Sequence, residues 1–101
     1  MAIYIDNVQI KWRGRKWCHM VADSIDELQS FAKALSLKPE WFQTDASYPH
    51  YDVTTETRIF ALKLGAIEGE RKDIIRCAKL LKFEQDQTRV ATPPPFQEML
   101  F

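Results

Sequence analysis

The chain reads as an α/β (or α+β) domain, in which a small mixed β-sheet is covered by about three α-helices and followed by an extended C-terminal tail. Three observations carry this. Ile3-Tyr4-Ile5-Asp6 alternates with the period of a half-buried strand. Ile25, Leu28, Phe31, Ala32 and Leu35 recur at helical spacing. The two patterns then alternate along the chain, as they do where helices layer onto a sheet. With 101 residues there is material for one core, expected over residues 1–83 with residues 84–101 as the tail.

Taken in order, residues 2–7 predict a strand and residues 16–22 a second. Arg13-Gly14-Arg15 between them supplies the glycine of a tight, hairpin-like reversal. Ser24-Ile25-Asp26-Glu27 matches a capping box: Ser24 accepts from the Glu27 amide while Glu27 reaches back. The helix it opens is expected to stop before Pro39. Residues 40–49 form a loop rich in aromatic and polar side chains, and residues 50–53 an extended piece. Thr54 caps a second helix carrying Ile59, Phe60, Leu62 and Leu64, which Gly65 terminates. Residues 66–68 make one more brief strand. A third helix is expected over about residues 70–82, with Ile74, Ile75, Ala78 and Leu81 inward. Beyond it stand Pro93-Pro94-Pro95 and the apolar end Phe96, Met99, Leu100 and Phe101. The prolines stiffen the tail, and its apolar residues are expected to dock on the core or on a second copy, giving a homodimer.

Composition excludes several classes. The chain is 46% apolar and 28% charged, as a folded domain is. Fourteen basic residues balance fourteen acidic ones, which argues against coating nucleic acid through bulk charge. No apolar run approaches the roughly 18 residues of a membrane span. The first residues lack the layout of a signal peptide. Cys18 and Cys77 have no metal-type spacing. The expectation is a cytoplasmic protein with reduced thiols and no membrane partner.

Residues 2–6 (Ala-Ile-Tyr-Ile-Asp), 17–23 (Trp-Cys-His-Met-Val-Ala-Asp), Glu27-Leu28 with Phe31-Ala32, Trp41-Phe42-Gln43, His50-Tyr51-Asp52-Val53 and Leu64-Gly65-Ala66 occur here in order. Together they resemble a small bacterial and phage family known as domain of unknown function 4031, over about residues 1–82. The resemblance implies a compact α/β domain and brings no activity with it. Gln29 stands where the resembling sequences often carry a histidine, which weakens a three-histidine metal site. The tail after Lys82 has no counterpart.

The chemistry worth weighing begins with two histidines, each beside an aspartate. On a strand, His19 shares a face with Trp17 and Val21, and Asp23 closes that strand. His50 and Asp52 alternate onto one face, with Tyr51 between them. His19, Asp23, His50 and Asp52 together suit a divalent metal with open coordination positions, and hence phosphoester hydrolysis. The same residues with Tyr51 suit a phosphate-bearing ligand. Asp6, ending the first strand, would be a third carboxylate. Against this, Asp23 and Asp52 both precede helix caps, where aspartates hold turns without any chemistry.

A second cluster, Lys11, Trp12, Arg13, Arg15, Lys16 and Trp17, sets four cations and two indoles around Gly14. It suits a weak single-strand contact, or a solvated turn that blunts a sheet edge, with Trp17 in the core. Trp41-Phe42 and Tyr48-Pro49 flank a loop holding Asp45 and Ser47, which would cover a pocket or seal the helix end. Three readings stand: a His/Asp pocket for a metal or phosphate-bearing ligand, a phage accessory protein that modulates a host protein, and weak single-strand binding at the basic turn.

Overall fold

The computed structural model describes residues 2–43 and 48–91. Along the chain run β1 (Ile3–Ile5), β2 (Ile10–Trp12), β3 (Arg15–Ala22), α1 (Ile25–Ala34), a 3-10 turn (Pro39–Trp41), β4 (Phe42–Gln43), β5 (His50–Thr54), α2 (Thr55–Lys63), β6 (Ile67–Glu68) and α3 (Arg71–Ala91). The mixed sheet runs β4-β5-β3-β1-β6, with β2 also paired to β3. Every pairing is antiparallel except β1 with β6. No helix among the described residues is long and apolar enough to cross a membrane.

β3 is the axis. It pairs with β5 along one edge, setting Trp17, Cys18, His19 and Met20 opposite Thr54, Val53, Asp52 and Tyr51. Along its other edge it meets β1 at Met20–Ala22 and β2 at Arg15–Trp17. Between those two pairings, Asp6 to Gln9 face only Cys18 and His19, so the first strand leaves the ladder in a bulge, with Gln9 at φ 54°. The β2–β3 connection is the expected tight turn. Arg13 at φ 53° and Gly14 at φ 75° have the paired positive φ of a two-residue hairpin that matches strand twist.

Strand alternation sorts the side chains. Cys18, Met20 and Ala22 are buried, with Ile3, Ile5, Tyr51 and Val53 beside them and Leu28 and Ala32 in the same core. The opposite face of β3 and β5 carries Trp17, His19, His50, Asp52 and Thr54, all half-buried.

The caps form as the sequence demands. Ser24 Oγ accepts from the Glu27 amide at 3.2 Å, and its hydroxyl donates to Glu27 Oε1 at 3.2 Å. Thr54 Oγ1 accepts from the Thr57 amide at 3.2 Å. At Gly65, φ 113°, the Ala66 amide donates to Ala61 O at 3.0 Å and closes α2. α1 ends before Pro39, as expected. Ser36, at φ 63°, stops it before Pro39 is reached, with the Leu37 amide donating to Ala32 O at 2.9 Å. Pro39 instead begins the 3-10 turn.

Other expectations require correction. Strands β2 and β4 were not expected, because three exposed residues and two residues leave no periodic signature. In α2, Ala61 is the buried residue, whereas Ile59, Phe60 and Leu64 are exposed. In α3, Cys77 takes the inward position and Ile75 turns out. The third helix does not end at Lys82 but continues to Ala91, so the first eight residues of the expected tail, 84–91, are helical. No breaker stands between residues 83 and 91. Glu84 accepts from the first amide of α1, Ile25 N, at 3.0 Å. Asp45, Ser47, the three prolines and Phe96, Met99, Leu100 and Phe101, with the dimer proposed through them, lie outside the described residues.

A non-glycine residue in the left-handed region costs roughly 1–2 kcal/mol, part of which glycine gives back through a freer unfolded chain. Ser36→Gly should therefore raise unfolding free energy by about 0.5–1 kcal/mol in urea titrations. Gly65→Ala should lower it by a similar amount or more.

Candidate functional site

The bulge turns Asp6 toward His19. Asp6 Oδ1 accepts the His19 backbone N–H at 2.8 Å, and its Oδ2 accepts the ring Nδ1–H at 2.8 Å. The Asp6 amide donates back to His19 O at 3.1 Å. Behind it, Arg58 of α2 donates from Nε to the Asp6 carbonyl at 2.8 Å and pairs through Nη2 with Glu68 at 3.0 Å. Asp6 is 6% exposed, the one charged side chain of the buried set among the described residues. Burial pushes its carboxyl up, but the His19 hydrogen bonds and charge outweigh that and hold it below the ordinary value. The Asp6 hydrogen bond correspondingly raises His19 above its usual range, against the opposing effect of burial.

His50 is held in the same manner by a different group. Its Nδ1–H donates to the Tyr48 carbonyl at 2.8 Å. Both imidazoles thus commit Nδ1 to an acceptor and leave Nε2 for the site. The rings lie 5.3 Å apart, nearly perpendicular at 78°. His50 Nε2 is 3.2 Å from Asp52 Oδ1. Ligating atoms of His19, His50 and Asp52 all fall within 4.8 Å of one another. The His50 hydrogen bond lowers Asp52 below the ordinary carboxylate value despite partial burial.

The cluster lies along a groove of about 830 Å³ whose lining also includes Trp12, Arg13, Arg15, Trp17, Trp41 and Thr57. Two residue types line it that the sequence left in separate places: the basic turn and the aromatic residue before β4. Trp17 is not in the core. It is half-buried on the groove face, its Nε1–H donating to Trp12 O at 2.9 Å. The aromatic pair at the start of β4 divides, with Phe42 stacked on Tyr51 at 5.3 Å and Trp41 47% exposed on the groove.

Two of the expected site residues are elsewhere. Asp23 accepts from the Cys77 thiol at 3.4 Å and pairs with Arg76 at 3.6 Å, joining the end of β3 to α3. It follows His19 by four positions but leaves the strand before its side chain could join the cluster. Tyr51 points to the opposite face by strand alternation, is 1% exposed, and donates its hydroxyl to Gln29 Oε1 at 2.6 Å. A side chain at position 29 therefore lies behind the sheet, so glutamine there removes nothing from the groove cluster. Sequence reasoning missed Arg58 and the Tyr48 carbonyl, and gave Asp6 no partner. The available signal was an acid at the very end of a strand whose neighbours are apolar.

Fold and site define a mixed-sheet α/β domain bearing a His/His/Asp cluster in an open surface groove. The chain belongs to the family described as Protein of unknown function (DUF4031), whose model matches residues 3–81. No curated protein and no solved structure matches it.

Asp6 and His19 set a pH dependence. Asp6 is lowered, so its contribution is present above its ordinary 3.8 and is lost as pH falls through its depressed folded value. His19 is raised, so its contribution is full below its ordinary 6.5 and is lost as pH rises through its elevated folded value. In metal-free protein the stability gap between wild type and Asp6→Asn should be widest between pH 3.8 and 6.5 and narrow on both sides. Asp6→Ala, which strips the His19 amide and ring of their acceptor, should cost about 2 kcal/mol by denaturant titration at pH 6. Cys77, raised to about 11 by burial first and by Asp23 next, should react with a thiol reagent only as the protein unfolds.

Proposed function

We propose that His19, His50 and Asp52 form a divalent-cation site that holds a phosphate-bearing ligand in the groove. The observation that carries the reading is that each imidazole anchors Nδ1 on an oxygen acceptor while ligating atoms of His19, His50 and Asp52 gather within 4.8 Å of one another. That is the support metal-ligating histidines require: the outer hydrogen bond fixes the tautomer and ring plane and makes the inner nitrogen a better donor. Ligands about 2.0–2.2 Å from a tetrahedral ion stand roughly 3.3 Å apart. The 3.2 Å between His50 Nε2 and Asp52 Oδ1 suits two ligands of one ion. With Nδ1 of His50 already donating, Nε2 meets the carboxylate through a second proton or through a cation, and the cation also engages His19. Two imidazoles and one carboxylate suit zinc, manganese or iron better than calcium, and leave coordination positions open for an anion.

Zinc or manganese at a hundredfold excess over Kd should stabilise the wild type by about 2.7 kcal/mol. His50→Ala should abolish that gain with the metal-free fold intact by circular dichroism. Asp6→Asn should weaken metal affinity about 10- to 100-fold without removing a ligand. Equilibrium dialysis with metal analysis measures both, and a wild type that retains no ion at neutral pH disproves the site.

A second reading, an interaction protein, draws on Ile59 and Phe60 of α2 and Leu64 at its C-cap, each more than half exposed. It predicts a self-associated protein that Phe60→Glu returns to monomer, read by light scattering.

A further inference from the structure

We propose that the groove binds a nucleotide unit, free or within a single strand, with its base on the indoles and its phosphate between the arginines and the His/Asp cluster. This deepens the cation-site reading by naming the ligand, and it rests on separate residues.

The β2–β3 hairpin carries Trp12 with 57% of its surface in water. The residue is nevertheless held in place. The Arg13 guanidinium lies 4.5 Å over its ring, Trp17 meets it edge-on at 6.0 Å, and the Trp17 indole N–H binds its carbonyl. Trp41, 47% exposed, also lines the groove, with Lys38 5.7 Å over its ring. An indole that is ordered and still wet is a stacking platform awaiting a flat partner. Arg13 and Arg15 make no ion pair with a carboxylate among the described residues, so both are available to an anion. Glu40 and Asp52 are the carboxylates on the lining. Asp52 is taken up by His50, and Glu40 adjoins Trp41 rather than the arginines in sequence.

What distinguishes a nucleotide from other flat or anionic ligands is that it needs both features at one spacing. A sugar ring would use the indoles and leave the arginines idle. Inorganic phosphate would do the reverse. The volume, about 830 Å³, lies within the range of pockets for drug-sized ligands and exceeds what a lone phosphate fills. The turn geometry supports this use: a two-residue hairpin with both φ values positive fixes Arg13 and Arg15 beside the indoles instead of on a loose loop.

The test is fluorescence anisotropy of a short labelled oligothymidylate on the full chain, in chelator and then with zinc or manganese, across a salt series. Competition by thymidine monophosphate, by a duplex of equal length and by heparin separates the sources. Binding is expected in the micromolar range. Stacking on an aromatic is worth about 1–3 kcal/mol per base, so Trp12→Ala should weaken binding about tenfold or more. Arg13→Ala with Arg15→Ala should flatten the dependence of log K on log salt by about 1.4 for two lost phosphate contacts. Both sites are exposed on the hairpin, and unchanged melting temperatures confirm that the fold is retained. Displacement by the monophosphate assigns a free nucleotide, and displacement only by single strands assigns the polymer. Equal competition by duplex and heparin, with Trp12→Ala silent, would reduce the groove to bulk charge and overturn the proposal. So would an absence of binding in both metal states. Indole- and arginine-dependent binding in chelator sustains it even if the cation site fails, and metal uptake without oligonucleotide binding rejects it alone.

Discussion

The carboxylate of Asp6 is the constraint on which the groove depends. Where β1 leaves the ladder, β3 would present an unpaired backbone N–H at His19 in a half-buried place, which is costly. Asp6 supplies the missing acceptor with one oxygen and uses the other on the imidazole of the same residue. A backbone repair and a side-chain orientation are thus one interaction. Arg58 then fixes the Asp6 main chain from α2 and reaches on to Glu68 in β6, so three elements converge behind one histidine.

Pairing geometry does the remaining placement. His19 stands opposite Asp52 in the β3–β5 ladder, and His50 lies two residues before Asp52 on the same face. Cross-strand neighbours on one face are in reach of each other, and a shift of one residue would send either imidazole into the core. The buried side of the sheet prevents that slip: Cys18 opposite Val53 and Met20 opposite Tyr51 are each about 1% exposed or less. The apolar register on one side fixes the polar register on the other.

Much of this was legible in the sequence, and the limits are physical. The helix caps at Ser24 and Thr54 and the stop at Gly65 are local codes, read within a few residues. Period two puts His19 with Trp17 and His50 with Asp52, but that the two pairs share one face is set by the β3–β5 register. The assignment of Asp23 to the cluster failed because adjacency along a chain does not survive the turn from strand to helix; Asp23 serves Arg76 and Cys77 instead. The bulge was invisible, since two extra residues opposite Cys18 and His19 leave no mark in hydrophobic alternation. The meeting of Trp12, Arg13 and Trp41 with the histidines was also hidden, because these residues lie on other segments that only the strand pairing and the chain path bring to the His19 face of β3.

The three tryptophans of the chain are Trp12, Trp17 and Trp41, and all three line the groove, whereas the buried aromatic among the described residues is Tyr51. The usual placement is reversed, with indole at the surface and phenol in the core. Intrinsic emission excited at the red edge therefore samples this one surface and is blind to the interior. A fraying hairpin would alter it while the core stayed packed. The optical signal commonly read as global unfolding would, in this molecule, report first on local opening at the groove mouth, and tyrosine absorbance or backbone dichroism would be needed to follow the collapse of the fold itself.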